Sequence, residues 1–141
     1  MTQGKKFIFT IPLRFRDLDA MGHVNNAVYL TYLEEGRKEF FVNVLGSRSP
    51  EDFPFILARV TCDYVRPIEL GEQAVREAVW ISRIGTKSFE FSYEVTRVGD
   101  PGWVFSTGRS VQVFYDYERG ESRAIPDGFR ERVSDYVIES Q

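Results

Sequence analysis

The sequence predicts an α+β domain of one long helix covering a face of a curved antiparallel sheet. Three features point there. Residues 26–45 carry apolar side chains at helical spacing, four segments after residue 54 alternate with a period of two, and the connections between those segments are short. At 141 residues the chain is read as a single domain spanning 1–141, large enough to bury a core of its own.

FIFTIPLRF (7–15) reads as the first strand. Pro12 cannot donate to a ladder and so places that strand at an edge or a bulge. Over 26–45, Tyr29, Leu30, Leu33, Arg37, Phe40, Phe41 and Val44 fall within an arc of about 120°, the width of a core-facing stripe. Thr31, Glu35, Lys38, Glu39 and Val42 occupy the far side. Gly46 and Pro50 supply the stop. Gly36 costs about 1 kcal/mol relative to Ala in mid-helix, so it marks a close approach, most simply by a sheet. The segments FILARVTCDYVRP, QAVREAVWISRI, KSFEFSYEVTRV and WVFSTGRSVQVFYDY then read as strands, divided by ELGE, GTK and VGDPG. In the third, Phe89, Phe91, Tyr93 and Val95 share one face, and Glu90, Ser92, Glu94 and Thr96 the other. Such short connections predict antiparallel hairpins. Phe129, Val133 and Val137, four apart, predict a short closing helix.

Composition narrows the function. Hydrophobic residues make up 43% of the chain, with 12 Phe and 7 Tyr, more apolar surface than a small monomer hides. One helix covers only one face of such a sheet, and a second copy of the chain is the simplest cover for the rest, so a homo-oligomer is expected. Net charge is −3 and the basic residues form no stripe, which argues against nucleic acid as a partner. Cys62 is the single cysteine. It rules out an intrachain disulfide and a Cys-rich metal site, fits a reducing compartment, and reads as a small buried strand residue. The N-terminal apolar run is interrupted by Pro12 and Arg14, so neither a secretory signal nor a membrane span is expected, and the predicted location is cytoplasmic.

RDLDAMGHVNN (16–26) followed by VYLTYLEEGR (28–37) resembles the signature of hotdog-fold thioesterases of the 4-hydroxybenzoyl-CoA thioesterase type, D-x-D-x-x-G before the central helix. HVNN with the following Tyr29 is most similar to the version in acyl-ACP thioesterases. DYVRPIELGE (63–72) resembles the family's Y-x-x-P-x-x-x-G segment, and VFYDYERGESRAIPDGFRERV (113–133) its usual ending, so the likeness covers nearly the whole chain. The resemblance implies a hotdog fold, a curved antiparallel sheet wrapped around one long central helix, whose subunits join their sheets into a dimer or a dimer of dimers. It implies active sites at that interface, near the helix N-terminus. It further implies hydrolysis of an acyl-CoA or acyl-ACP thioester, with coenzyme A as part of the substrate and neither a metal nor another cofactor. Two other activities stay open: a hotdog enoyl-CoA hydratase or dehydratase, and a non-catalytic acyl-thioester binding module.

The resemblance assigns the family's reacting carboxylate to Asp19. One carboxylate suffices for a thioester, because a thiol with a pKa of about 8.5 leaves as thiolate without strong acid assistance. Asp19 would act as base toward water or as nucleophile; its other reading is a turn residue. Asp17 is read as loop support or as the ion partner of Arg37. Gly22 permits a backbone conformation closed to other residues and a near approach by substrate. One of Asn25 and Asn26 caps the helix, and the Asn26 N–H in the electropositive first turn is the candidate oxyanion donor. His23 matches a histidine placed in the acyl-ACP thioesterase catalytic set, but the asparagine that accompanies it there is Met21 here, so His23 is read as orienting the loop or substrate, with direct acid–base work as the alternative. Tyr29 and Glu34 complete the substrate-binding set; Glu34 also has the spacing to pair with Lys38.

Overall fold

The computed structural model describes residues 4–140. The period-two segments form one sheet: β1 (Phe7–Pro12), β2 (Phe55–Tyr64), β3 (Ala74–Ile84), β4 (Ser88–Arg97) and β5 (Asp100–Asp116), with a two-residue β6 (Glu121–Ser122) paired to β5. Their spatial order is β1-β3-β4-β5-β2, all antiparallel. Pro12 closes an edge strand, as its missing donor requires. The expectation of hairpins throughout fails at one connection. β2 does not pair with β3; it lies across the sheet beside β5, and residues 65–73 cross the end of the sheet through a 3-10 turn at Leu70–Glu72. Sheet closure decides this pairing, and local spacing carries no signal for it.

The long helix α1 spans Asn26–Asn43 and buries Tyr29, Tyr32, Leu33, Gly36, Phe40 and Phe41. Its buried stripe is rotated from the expected arc toward Tyr32 and Gly36, and Leu30 is left exposed. Two reasons are visible. Asp17 accepts the Tyr32 hydroxyl and so allows that residue inside, and at Gly36 the helix meets the sheet so closely that a Cβ would overlap the Glu77 carboxylate of β3. Gly36 thus marks a close approach, as its sequence position suggested.

Two cores follow. One, rich in phenylalanine, joins the second half of α1 to β3, β4, β5 and the closing helix α2 (Asp127–Val133). The other, with Ile11, Val24, Tyr29, Tyr32, Ile68, Val75, Val95 and Phe105, holds the first half of α1. Cys62 is half-buried between them, and burial pushes its thiol pKa up.

Arg37 does not pair with Asp17. Its Nη1 donates to the Tyr93 hydroxyl at 3.3 Å, and Tyr93 in turn meets Ser110, which bonds Gln112. Glu77 is fully buried, and neither carboxylate oxygen has a hydrogen-bond partner among the described residues. Burial holds its pKa well above the ordinary carboxylate range; Arg37 opposes the shift and Glu35 adds to it. In the unfolded chain the group titrates near the ordinary value. Between that value and the raised folded one, the native state keeps a proton that the unfolded state has lost, so stability falls as pH rises through this window. Glu77→Gln is therefore expected to flatten the decline and to be more stable than the parent at pH 8, by on the order of 1–3 kcal/mol. Urea unfolding of both proteins at pH 5 and pH 8 checks this; parallel pH dependence would contradict it.

Candidate active site

Residues 17–26 form a tight hairpin that ends in the helix cap. Leu18 and Val24 pair as an antiparallel bridge, the Asp19 N–H donates to the His23 carbonyl at 2.8 Å, and the Gly22 N–H donates to the Asp19 carbonyl at 3.1 Å. Gly22 has φ +82, a left-handed conformation that L side chains rarely adopt, so this glycine shapes the turn. Asp17 anchors the base of the hairpin. Only 8% exposed, it accepts from the Arg14 N–H and the Tyr32 hydroxyl, each at 3.0 Å, and its own carbonyl accepts the Asn25 N–H. Burial, then the neighbouring carboxylate, pushes the Tyr32 pKa up.

Asp19 sits at the exposed tip. Its Oδ1 accepts the Met21 N–H at 2.9 Å and the His23 N–H at 3.3 Å. The turn reading accounts for Oδ1. Oδ1 is clamped by the loop, and no partner stands at Oδ2 among the described residues. The half-buried His23 places Nε2 3.9 Å from Glu69 Oε1 and pairs through its backbone with Glu69, on the crossing segment.

Asn25 is the helix cap, its side chain accepting the Ala27 N–H at 2.9 Å. Asn26 opens the helix, and its carbonyl accepts the Tyr64 hydroxyl at 3.2 Å. The Asn26 N–H precedes the first intrahelical acceptor, so it is one of the orphan donors at the positive end of the helix dipole. Tyr29 is 2% exposed, packs edge-on against Tyr64 and donates to the Arg66 carbonyl at 3.4 Å. Asp19, Gly22, His23, Asn25, Asn26 and Tyr29 therefore lie together around one helix end.

Glu34 stands apart, about 12 Å along the helix from Asn26 at 1.5 Å per residue. It forms no ion pair with Lys38 among the described residues. Both instead line a cavity of about 740 Å³ walled by Phe41, Val42, Phe53, Pro54, Phe55 and Tyr117. A second cavity, of about 400 Å³, lies on the sheet around Trp80 and Arg109. Asp19 lines neither. Sequence reasoning passed over Tyr64 and the Asp17–Tyr32 pair. Tyr64 stands in the quoted DYVRPIELGE segment, which signalled a turn without signalling the hydroxyl's reach to the helix. No described helix is long and apolar enough to cross a membrane, and the described residues hold no group of three or more His, Cys, Asp or Glu placed to hold a metal ion.

A long helix seated in a curled antiparallel sheet, opened by an Asp-tipped hairpin, is the hotdog architecture of thioesterases. The model of the thioesterase-like superfamily matches residues 13–133, and the chain belongs to that family. A protein of Bacillus stearothermophilus described as a predicted thioesterase is 29% identical, with a TM-score of 0.86 over 97% of this chain and 100% of that one. A thioesterase from Thermus thermophilus, solved in complex with coenzyme A and Zn, is 35% identical, with a TM-score of 0.77 over 89% of this chain and 90% of that one. YsmA of Bacillus subtilis, itself uncharacterized, is 28% identical over 128 residues, 90% of this chain and 84% of that protein.

Proposed function

We propose that the protein is an acyl-CoA thioesterase in which Asp19 supplies the reacting carboxylate and the Asn26 N–H binds the carbonyl oxygen. Family membership supports thioester hydrolysis as the reaction. The observation that carries the residue assignment is the division of labour within Asp19: the loop amides hold Oδ1, and Oδ2 accepts from none of the described residues, on the hairpin that feeds into the helix cap. As a base, Oδ2 takes a proton from water while the water oxygen attacks the thioester carbon. As a nucleophile, it forms a mixed anhydride that water then cleaves. In either route the carbonyl oxygen gains negative charge, the helix end stabilises it, and thiolate departs.

Within one chain this site is open on one side, and we read a second copy as its closing wall. Among the described residues β2 pairs only with β5 and its other edge has no partner, and Ile56, Leu57, Tyr64 and Val65 are exposed on and just after it. A two-fold axis at that edge runs the two helices antiparallel on the same face. The aromatic cavity beside Glu34, on the later part of one helix, then turns toward the helix N-terminus of the other copy and would receive the acyl group. The coenzyme A bound to the Thermus relative supports a CoA thioester as substrate.

The test is purified protein with a panel of acyl-CoA esters, following free thiol and free acid together. Equal release of both is expected. Hydration of an enoyl-CoA without thiol release would assign a hydratase, and saturable binding without turnover a binding module.

A further inference from the structure

Residues 64–69 run beside the helix N-terminus, tied there by the Tyr64 hydroxyl on the Asn26 carbonyl, the Tyr29 hydroxyl on the Arg66 carbonyl and the Val24 N–H on the Ile68 carbonyl. This segment carries Arg66 into a stack of residues distant in sequence. The Arg66 guanidinium lies 4.5 Å from the ring centroid of Trp103, and the Arg97 guanidinium lies 4.4 Å from the same centroid. The two cations are not equivalent. Arg97 is neutralised by a fork of two bonds to Glu72, at 3.1 and 3.0 Å, which explains it as a structural clamp on the crossing segment. Arg66 enters no ion pair among the described residues. Its Nη1 donates to the Val104 carbonyl at 2.8 Å, and no other side-chain hydrogen bond from its five donors is made to the described residues. Trp103 is 38% exposed, so the stack reaches the surface.

A guanidinium seated over an indole face is held by the ring without using its N–H donors, and its planar fork matches a phosphate oxygen pair better than a flexible ammonium does. We propose that Arg66, positioned by Trp103 and by the Val104 carbonyl, binds a phosphate of the nucleotide half of coenzyme A and selects CoA esters over carrier-protein esters. The inference rests on the thioesterase reading, since it puts this phosphate at the far end of the thiol arm whose ester is cleaved beside Asp19. Charge favours CoA over a carrier protein. Arg66, a single cation with no ion pair among the described residues, suits one phosphate group, whereas a docked protein needs a broad complementary face.

Two measurements decide it. Adenosine 3′,5′-bisphosphate is titrated by calorimetry into the parent, Arg66→Gln and Arg66→Lys, each first checked for an unchanged melting temperature. In parallel, kcat/KM is compared for an acyl-CoA, the matching acyl-pantetheine and the matching acyl carrier protein. The parent is expected to bind the bisphosphate and to prefer acyl-CoA over acyl-pantetheine by about tenfold or more, and Arg66→Gln is expected to weaken bisphosphate binding and to lower that preference about tenfold, mostly through KM. Arg66→Lys should fall between them. A parent that ignores the bisphosphate, a preference ratio untouched by Arg66→Gln, or faster turnover of the carrier-protein ester overturns the proposal. Bisphosphate binding lost in Arg66→Gln, in a protein that releases thiol from no ester, would uphold this site while refuting the thioesterase reading.

Discussion

Asp19→Asn is expected to lower kcat for thioester hydrolysis by about 10²–10⁴-fold while leaving the melting temperature unchanged. The amide keeps an oxygen in the place of Oδ1, so the bonds from the Met21 and His23 N–H groups survive and the hairpin keeps its shape. Lost is the negative charge on the second oxygen, which either route of attack requires. A structural role alone predicts turnover kept as well, because the bonds that hold the hairpin survive the change. His23→Ala gives the comparison. Its imidazole stands near Glu69 rather than in an Asp-Asn-His set, because Met21 occupies the asparagine position, so a smaller loss is expected. Steady-state thiol release by the three proteins, alongside thermal melts, separates these outcomes.

Phe129→Ala is expected to cost about 3–5 kcal/mol, the range for truncating a buried phenylalanine, and to lower the melting temperature by roughly 10–20 °C. Phe129 is fully buried and packs at centroid distances of 4.8 Å from Phe89, 5.0 Å from Phe114, 5.9 Å from Phe53 and 6.4 Å from Phe41. It pins the short α2 to the sheet, and Phe41 and Phe53 are also walls of the aromatic cavity beside Glu34. The same change should therefore loosen acyl-chain selectivity in whatever folded protein remains. Calorimetric melting supplies the first check; a loss below about 1 kcal/mol would show that the neighbouring rings close the void without it.

Most of the fold was legible because its elements are periodic. The alternation in KSFEFSYEVTRV and the apolar spacing of 26–45 are consequences of pleat and helix pitch, and both elements stand where those periods put them. What escaped was decided across the molecule. The crossing of 65–73 depends on β2 reaching β5, and the rotation of the helix stripe depends on Asp17 receiving the Tyr32 hydroxyl. Arg37 shows the same limit. Its place in the apolar arc suggested an acidic partner in the nearby hairpin, yet Tyr93, on a strand 56 residues further on, receives it. At the candidate site, the motif located Asp19, Gly22 and the capping asparagine. It could not show that one carboxylate oxygen is clamped and the other accepts from none of the described residues, nor that Arg66 and Arg97 meet on Trp103.

The most direct test of the central claim is a crystal structure of Asp19→Asn with an uncleaved acyl-CoA bound. The account predicts the thioester carbonyl oxygen about 3 Å from the Asn26 N–H, and the residue-19 side chain within reach of the carbonyl carbon or of a water poised on it. An acyl-CoA seated with its thioester away from the helix N-terminus would contradict it.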